Sequence, residues 1–212
     1  MSENYKESFE KTKKAGEIAA GALDEVAKII KPGIQTDKID KLCYEYINDN
    51  GAYSAPLFYR GFPKSCCTST NHIVCHGIPS DKTLKDGDIV NVDVTALKDG
   101  WHGDTSRTYE IGEVSVKAKK LVRTTYEALM KAIEIIKEDI HLGDIGATIQ
   151  NHVETEGFSV VQDFCGHGIG QSFHEEPNIL HYGKKGTGQK IKAGMIFTIE
   201  PMINIGNYET KT

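Results

Sequence analysis

Residues 91–109 read Asn-Val-Asp-Val-Thr-Ala-Leu-Lys-Asp-Gly-Trp-His-Gly-Asp-Thr-Ser-Arg-Thr-Tyr, and this pattern predicts a β-hairpin. Valines alternate with polar residues before the turn at Asp99-Gly100, which is the period of a strand with two unlike faces. Asp93 and Asp104 therefore project from neighbouring strands toward the same side of the hairpin. Two carboxylates held so close repel each other strongly, so either a shared proton or a cation has to stabilise the pair.

Asp93 is the stronger functional candidate of the two carboxylates. It lies inside an apolar strand, where aspartate is disfavoured and an uncompensated buried charge is costly. Asp104 follows Gly103 and also fits ordinary turn chemistry. We therefore expect a functional role for Asp93 and keep a turn residue as the alternative for Asp104.

The glycine-rich segment Phe164–Pro177 contains two histidines, His167 and His174. Glycine removes side-chain bulk around His167, so the pattern favours contact of at least one histidine with a metal ion or a substrate. Their separation is not that of a helical zinc motif, so they would act from a loop or from different strands. A phosphate-binding loop is disfavoured because its lysine is missing.

Two further candidates lie in motifs of their own. Cys75 beside His76 suggests a Cys/His metal site, but no second Cys/His pair has zinc-finger spacing. His76 is equally a loop histidine or a catalytic one. Glu200 lies in an apolar segment before Pro201, where a carboxylate is costly unless charged partners meet it. A solvated carboxylate at a strand end is the alternative for Glu200.

The candidates together form a mixed set of carboxylate and imidazole groups. Such a set suits a divalent ion of the Mn, Fe, Co or Zn kind, whereas Mg and Ca sites seldom include histidine. Bridging carboxylates can hold two ions about 3.5–4 Å apart, as in two-metal hydrolases. An acid pair that shares one proton is the alternative, and it would leave the histidines without a role.

Four helices are predicted from apolar residues at helical spacing and from glycine or proline stops. Thr36 is the expected N-cap of the second helix. The other segments are predicted to be strand and loop, and Met195–Ile199 is the clearest strand near the C-terminus. The predicted helices cover approximately residues 8–31, 36–50, 115–138 and 144–156.

The two predicted helix pairs also match each other at a constant offset of 106 residues. Leu23 pairs with Leu129 and Gly51 with Gly157, and the match continues through both linkers without a gap. Chance similarity between amphipathic helices is the alternative, but we interpret the offset as an ancient duplication. It predicts two similar αβ halves related by a pseudo-two-fold axis, with a site in the groove between them.

The composition is that of a globular protein with a sizeable core. The hydrophobic fraction of 39% and the charged fraction of 26% over 212 residues are ordinary. A net charge of -5 gives no support for binding to nucleic acid or to an anionic membrane. Five cysteines without disulfide spacing indicate reduced thiols. The N-terminus lacks the pattern of a secretory signal, and no apolar segment has the length needed to span a bilayer. We therefore expect a soluble, cytoplasmic protein.

Five motifs follow one another in the chain: Val-Cys-His-Gly-Ile-Pro (74–79), Asn-Val-Asp-Val-Thr (91–95), His-Gly-Asp-Thr-Ser (102–106), Gly-His-Gly-Ile-Gly with Phe-His-Glu-Glu-Pro (166–177), and Thr-Ile-Glu-Pro-Met (198–202). Together they resemble type I methionine aminopeptidase, from the N-terminal helix to the end of the chain. The resemblance implies an α+β class with the pita-bread fold, two pseudo-symmetric αβ halves around a central metal site. The chain is then expected to be a single catalytic domain, 1–212, with internal halves at roughly 8–110 and 115–212.

The resemblance also implies roles for ten residues. Two divalent ions (Co, Mn, Fe or Zn) are expected to activate a water molecule, and Glu200 is expected to transfer its proton. His174 would help to polarise the scissile carbonyl and His76 would support the leaving nitrogen. By position, the metal ligands are Asp93, Asp104, His167 and Glu200, the catalytic residues are His76, His174 and Glu200, and the substrate-binding residues are His76, His174, Tyr59, Phe62, Cys67 and Phe173.

The chain departs from the family pattern at its C-terminal end. Family members continue to another strand with a final bridging glutamate, whereas this sequence stops at Thr212 and Glu209 lies too close to Glu200 to replace it. The chain is therefore expected to be C-terminally short, either truncated or naturally so. The second ion would then keep only Asp93 and Asp104, which puts its occupancy in doubt.

The expected function is metal-dependent removal of the initiator methionine from nascent polypeptides with a small second residue. The expected partners are peptides with N-terminal methionine and nascent chains, with the ribosome as a candidate docking partner, and the expected state is a monomer. One alternative is an Xaa-Pro-type peptidase of the pita-bread fold, and another is a non-enzymatic binding module of the same fold.

Overall fold

The computed structural model describes residues 3–211, which divide into two compact units. The first unit runs to Ser115 and also contains Gly170–Phe173, and the second takes up the rest of the chain from Val116 onward. Of the predicted domain 1–212, residues 1, 2 and 212 lie outside the described ones. That the chain acts as a single catalytic domain stays a proposal.

The first unit combines two helices with a four-stranded antiparallel sheet. The longest strands pair along their whole length, which confirms the predicted hairpin, and the other edge of its first strand pairs with two shorter strands. A 3-10 turn lies at Tyr59–Gly61. The elements are α1 (Glu3–Ile29), α2 (Thr36–Asp49), β1 (Tyr53–Ser54), β2 (Cys67–Thr70), β3 (Ile89–Lys98) and β4 (Trp101–Glu110).

The core of the first unit lies between α1, α2 and the sheet. Val90, Val92 and Val94 of β3 are fully buried in the same cluster as the apolar face of α1, as their alternation predicts. Burying each such side chain stabilises the fold by about 1.5–3 kcal/mol. Gly103 of β4 lies so close to α1 that an added Cβ would be 2.0 Å from the backbone nitrogen of Gly16.

The second unit has two helices and two small antiparallel sheets. Its core cluster is formed mainly by side chains from both helices and from the segments that follow them. The sheets pair β5 with β8 and β6 with β7. The elements are α3 (Val116–Glu134), α4 (Leu142–Thr155), β5 (Ser159–Val160), β6 (Gly166–Gly168), β7 (Glu175–Ile179) and β8 (Ile203–Asn204).

The predicted strand Met195–Ile199 is wrong, because only an isolated bridge between Gly168 and Phe197 forms there. Thr198 N–H donates to the carbonyl of His167 as in a ladder, over 2.8 Å. In a regular ladder, the N–H of His167 would donate in turn to a backbone carbonyl. Here it donates to the Thr198 hydroxyl instead, over 2.9 Å. This side-chain bond interrupts the regular ladder before it becomes a strand.

The helix limits also differ from the prediction in details. Thr36 is not the N-cap of α2, because Gln35 occupies that position and the Thr36 hydroxyl bonds to the Ser80 backbone instead. The third helix ends four residues before the predicted Glu138, and α4 begins earlier than predicted, behind a capping box formed by His141 and Asp144.

Within residues 3–211, none of the helices has the length and apolar character needed to cross a membrane.

The second helices of the two units keep the offset seen in the sequence. Helices α2 and α4 begin at positions 36 and 142 and end at positions 49 and 155, so both limits are shifted equally. We propose that the two halves share an origin, and equivalent backbone bonds support this. The bond from Leu84 N to Ile34 O in the first unit corresponds to that from Ile191 N to Ile140 O in the second. The bond from Ala52 N to Ile47 O corresponds in the same way to that from Phe158 N to Val153 O.

Candidate functional site

The first unit holds a pair of interacting carboxylates on the hairpin. Thr95 of β3 lies opposite Asp104 of β4, and Asp93 lies opposite Ser106, so both aspartates share the face that points away from the buried valines. Both are half-buried, and a hydrogen bond joins their side chains. The expectation that they project to the same side is therefore confirmed, and either one proton or a cation would relieve the repulsion between the two carboxyls.

The environment of the pair opposes a double negative charge. Loss of surrounding water, the charge of Asp104 and the hydrogen bond between the carboxyls raise the pKa of Asp93 well above its usual value, while the N–H of Val94 lowers it. A divalent cation would supply the missing positive charge and release the proton. The pair thus fits a cation site by its donor chemistry, as well as a site that holds one proton.

Cys67 lies beside this pair as a neutral thiol. It is directly opposite Asp93 in the β2–β3 ladder and is buried. Burial, followed by the charge of Asp93, raises the pKa of the thiol far above its usual value. Because a thiol binds metal as the thiolate, Cys67 fits a pocket wall better than a ligand set.

The second unit brings His167 and Glu200 together. The Nδ1 atom of His167 donates to the carbonyl of Gly168 over 2.9 Å, which leaves the proton off Nε2 in the neutral ring. Nε2 then lies 3.5 Å from Oε1 of Glu200. Burial lowers the pKa of His167, although the bond to Gly168 raises it. A neutral imidazole whose other nitrogen donates to a carbonyl is the usual form of a metal-ligating histidine.

Glu200 is held at both its carboxylate and its backbone by residues that the sequence did not suggest. Thr198 donates its hydroxyl to Oε1 of Glu200 over 2.6 Å. The N–H of Glu200 donates to Nε2 of His181 over 3.1 Å. His181 is fully buried, which lowers its pKa to about 4 and keeps the ring neutral at physiological pH. The separation of two residues between Thr198 and Glu200 could have indicated a shared face, but no sequence signal pointed to His181.

The predicted substrate histidines lie in exposed positions. The ring of His174 lies 4.2 Å from that of His167 between centroids, tilted by 44°. His76 lies in the loop after β2, in the first unit, with a positive φ of 55°. Both are exposed, as groups that meet a substrate must be.

The predicted pocket residues all belong to the first unit. The rings of Tyr59 and Phe173 lie 4.9 Å apart between centroids, and Phe62 N–H donates to the Tyr59 carbonyl over 2.9 Å. His102, which the sequence did not suggest, stacks on Phe173 at 5.5 Å and 11°. Its ring Nδ1 and its backbone N–H both lie within hydrogen-bond distance of the Gly170 carbonyl, at 3.0 and 2.8 Å. The aromatic wall is thus fixed to β4 by one histidine.

Each unit offers two of the four predicted ligands. Within either unit, the described residues contain no group of three or more His, Cys, Asp and Glu side chains arranged to hold a metal ion. Taken by itself, the hairpin offers carboxylate oxygens, and the second unit by itself offers a carboxylate and a neutral imidazole. These donor types fit divalent ions of the Mn, Fe, Co or Zn class.

Comparison with known proteins gives the family. The chain matches metallopeptidase family M24 over residues 10–210. It is 54% identical over 202 residues to a methionine aminopeptidase of Rickettsia prowazekii (strain Madrid E), covering 95% of this chain and 78% of that protein. It is 51% identical over 208 residues to the methionine aminopeptidase of Escherichia coli (strain K12), covering 97% of this chain and 79% of the relative.

Solved structures agree with these matches. The crystal structure of methionine aminopeptidase from Rickettsia prowazekii superposes with a TM-score of 0.96 at 53% identity, covering 97% of this chain and 83% of that one. The X-Pro aminopeptidase from Thermotoga maritima MSB8 reaches only 0.76 at 25% identity, covering 92% and 53%. The expected pita-bread fold of the α+β class is therefore confirmed. The chain belongs to metallopeptidase family M24, within its type I methionine aminopeptidase group.

Proposed function

We propose that this chain is a metal-dependent aminopeptidase that removes the initiator methionine from polypeptides whose second residue is small. The observation that carries the proposal is the half-buried pair Asp93 and Asp104, whose hydrogen bond and raised pKa mark a place for positive charge. Membership of a metallopeptidase family and high identity to methionine aminopeptidases support both the reaction and the substrate.

The proposed metal ligands are Asp93, Asp104, His167 and Glu200. Divalent ions, when bound, lower the pKa of coordinated water to about 7 and polarise the substrate carbonyl. Two ions of the Co, Mn, Fe or Zn kind per chain are our expectation, and these four side chains would hold them. The hydrogen-bonded carboxyl pair and the His167 ring with its proton on Nδ1 support this assignment.

Three side chains are proposed to act on protons and on the substrate. Glu200 accepts the proton of the attacking water and passes it on, and the bond from Thr198 to Oε1 restricts its carboxylate to one orientation. His174 donates to the scissile carbonyl, and its exposed position near His167 is compatible with that role. His76 supports the leaving nitrogen from its exposed loop.

The proposed methionine pocket is lined by Tyr59, Phe62, Cys67 and Phe173. A flexible thioether packs well on aromatic rings, and the pair Tyr59–Phe173 offers such a wall. The neutral thiol of Cys67 adds a small apolar surface. Selection of a small second residue would follow from the space left beside this wall.

We further propose that the chain acts as a monomer on nascent chains in the cytoplasm. Size-exclusion chromatography with light scattering tests the monomer. Co-sedimentation with ribosomes carrying nascent chains tests the docking that the family resemblance suggested.

The deciding experiment is hydrolysis of the peptide Met-Ala-Ser by the 212-residue chain with and without added Mn²⁺ or Co²⁺. We expect metal-dependent release of methionine and its loss in Asp104→Asn, because a neutral amide cannot replace an anionic ligand. Release of methionine at the wild-type rate by that variant would refute the role of Asp104. A parallel measurement on a chain extended through the family's final strand determines how far the last glutamate is needed.

The same assay separates the two alternatives. An Xaa-Pro peptidase would cleave peptides with proline second and would spare Met-Ala-Ser. A non-enzymatic binding module would cleave neither, whichever metal is added. The lower identity of 25% to the X-Pro aminopeptidase favours the methionine substrate.

A further inference from the structure

His181 is a fully buried histidine of the second unit that contacts the backbone of Glu200. Its Nε2 accepts the Glu200 N–H over 3.1 Å, and no residue among 3–211 bonds its Nδ1. A backbone N–H can only donate, so Nε2 must be the unprotonated nitrogen and the neutral ring carries its proton on Nδ1.

A histidine at this position needs an explanation. A buried N–H without a protein partner is unfavourable, and an apolar side chain of similar size would avoid it. The histidine supplies an acceptor for the backbone N–H of Glu200. The bond is the feature of His181 that an apolar residue could not provide.

Glu200 requires that acceptor because the local ladder has ended. The last pairing bond before it runs from Thr198 N–H to the His167 carbonyl, and Pro201, which follows, has no N–H. Strand β8 begins only at Ile203. The imidazole of His181 therefore takes the place that a neighbouring strand's carbonyl would otherwise fill.

Packing against α4 fixes the segment that carries His181. A Cβ added at Gly146 of α4 would lie 2.3 Å from the carbonyl oxygen of Tyr182 and 2.8 Å from that of Leu180. The helix thus lies directly against the two carbonyls that flank His181. Because backbone meets backbone there, the main chain that carries the ring has little freedom to move away from Glu200.

We propose that His181 is a positioning residue that holds the main chain of Glu200 and thereby the place of its carboxylate in the metal centre. The inference rests on the proposed role of Glu200 as a ligand. Thr198 fixes the carboxylate end of the residue and His181 fixes the backbone end. Removing an outer residue that orients a ligand typically weakens metal affinity about 10- to 100-fold.

The first test compares His181→Leu with His181→Gln in the 212-residue chain, freed of metal and titrated calorimetrically with Mn²⁺ alone. Leucine removes the acceptor, so we expect a loss of affinity of about 10- to 100-fold. Glutamine places a carbonyl oxygen near the position of Nε2 and should retain most of the affinity. His152→Gln, in which a histidine bonded to Glu127 is changed, should bind as the wild type does. Wild-type affinity in His181→Leu, or an equal loss in a folded His181→Gln, would overturn the inference.

The second test needs neither metal nor a variant. In the metal-free wild-type chain, nitrogen NMR should give an unprotonated shift for Nε2 of His181 and a protonated one for Nδ1. The Glu200 amide should also be protected from hydrogen exchange. A protonated Nε2, or a Glu200 amide that exchanges as an open loop does, would overturn the inference. A wild-type chain that binds no Mn²⁺ refutes the proposed metal centre. The nitrogen shifts of His181 and the exchange rate of the Glu200 amide test the bond from Glu200 to His181 independently of metal binding.

Discussion

The hydroxyl of Thr198 donates to the carboxylate of Glu200 over 2.6 Å. The same hydroxyl accepts the backbone N–H of His167 at 2.9 Å. One small side chain therefore contacts both ligands that the second unit is proposed to provide. It can therefore fix the separation between them.

Replacing Thr198 with valine keeps the shape of the side chain and removes the hydroxyl. The His167 N–H then loses its acceptor and the Glu200 carboxylate loses a donor. We expect the free energy of unfolding to fall by about 1–3 kcal/mol and Mn²⁺ affinity to fall as well. Urea unfolding and calorimetric titration measure the two effects. Thr198→Ser keeps the hydroxyl and is the control, and a valine variant equal to wild type in both would contradict the proposed link.

The carboxylate pair predicts how the stability of the metal-free chain depends on pH. The pKa of Asp93 is raised above 3.8 in the folded state, so above that pH the folded chain binds more protons than the unfolded chain. The contribution of this pair to stability is therefore greatest at low pH and falls as pH rises toward the raised pKa, by about 1.4 kcal/mol for each pH unit in that range. Urea unfolding in the presence of a chelator, repeated across this range, measures the slope.

Asp93→Asn supplies the matched comparison for that slope. The variant cannot carry the second charge, so its metal-free stability should change less with pH and exceed that of wild type at neutral pH. Saturating Mn²⁺ should reverse the order, since ligand binding stabilises only the chain that binds it. Equal pH slopes for both chains would show that the pair holds no proton.

His102 is expected to influence substrate affinity more than turnover, because it holds the wall of the proposed pocket. His102→Leu loses the ring bond to Gly170 and changes the surface on which Phe173 stacks. We expect KM for Met-Ala-Ser to rise about fivefold, equivalent to about 1 kcal/mol, with kcat nearly unchanged. Steady-state kinetics at saturating Mn²⁺ measures both constants.

Two controls accompany the His102 variant. His102→Asn can keep a donor near the position of Nδ1 and should recover part of the lost affinity. His72→Asn changes an exposed histidine and should leave KM as it is in the wild type. A fall in kcat at constant KM in His102→Leu would place this histidine in the chemical step instead.

The contact between Gly103 and Gly16 predicts opposite effects for two identical substitutions. Gly103→Ala would force a methyl group against the helix backbone and should destabilise the chain by about 1–3 kcal/mol. Gly16→Ala meets no atom within 4 Å and should stabilise α1 by about 0.8–1 kcal/mol. Thermal or urea unfolding of both variants provides the comparison, and a neutral Gly103→Ala would contradict the close packing.

The hairpin could be predicted because its information is local. The alternation of valines and the turn glycine fall within residues 91–109, and period-2 alternation alone puts Asp93 and Asp104 on one face. The helices were predictable for the same reason, apart from their limits. Helix α2 begins at Thr36 without using it as a cap, since the hydroxyl bonds to the more distant Ser80 instead.

The support of Glu200 could not be predicted, because it depends on tertiary contacts. His181 lies nineteen residues before Glu200 and follows no spacing rule, since the bond forms where strand pairing has stopped. The same interruption made the predicted strand Met195–Ile199 wrong. A threonine hydroxyl that replaces a ladder carbonyl leaves no trace in the alternation of apolar residues.

The close approach of Gly103 to Gly16 has a consequence for protein engineering. Asp104 is the next residue in the chain, so its strand packs directly against the main chain of α1. Substitutions of α1 side chains leave that main chain in place. Attempts to retune the metal chemistry by redesigning the surface of α1 should therefore have little effect. Variants with altered substrate preference are better sought among the aromatic side chains around Phe173, where rotamers can change and the backbone can stay where it is.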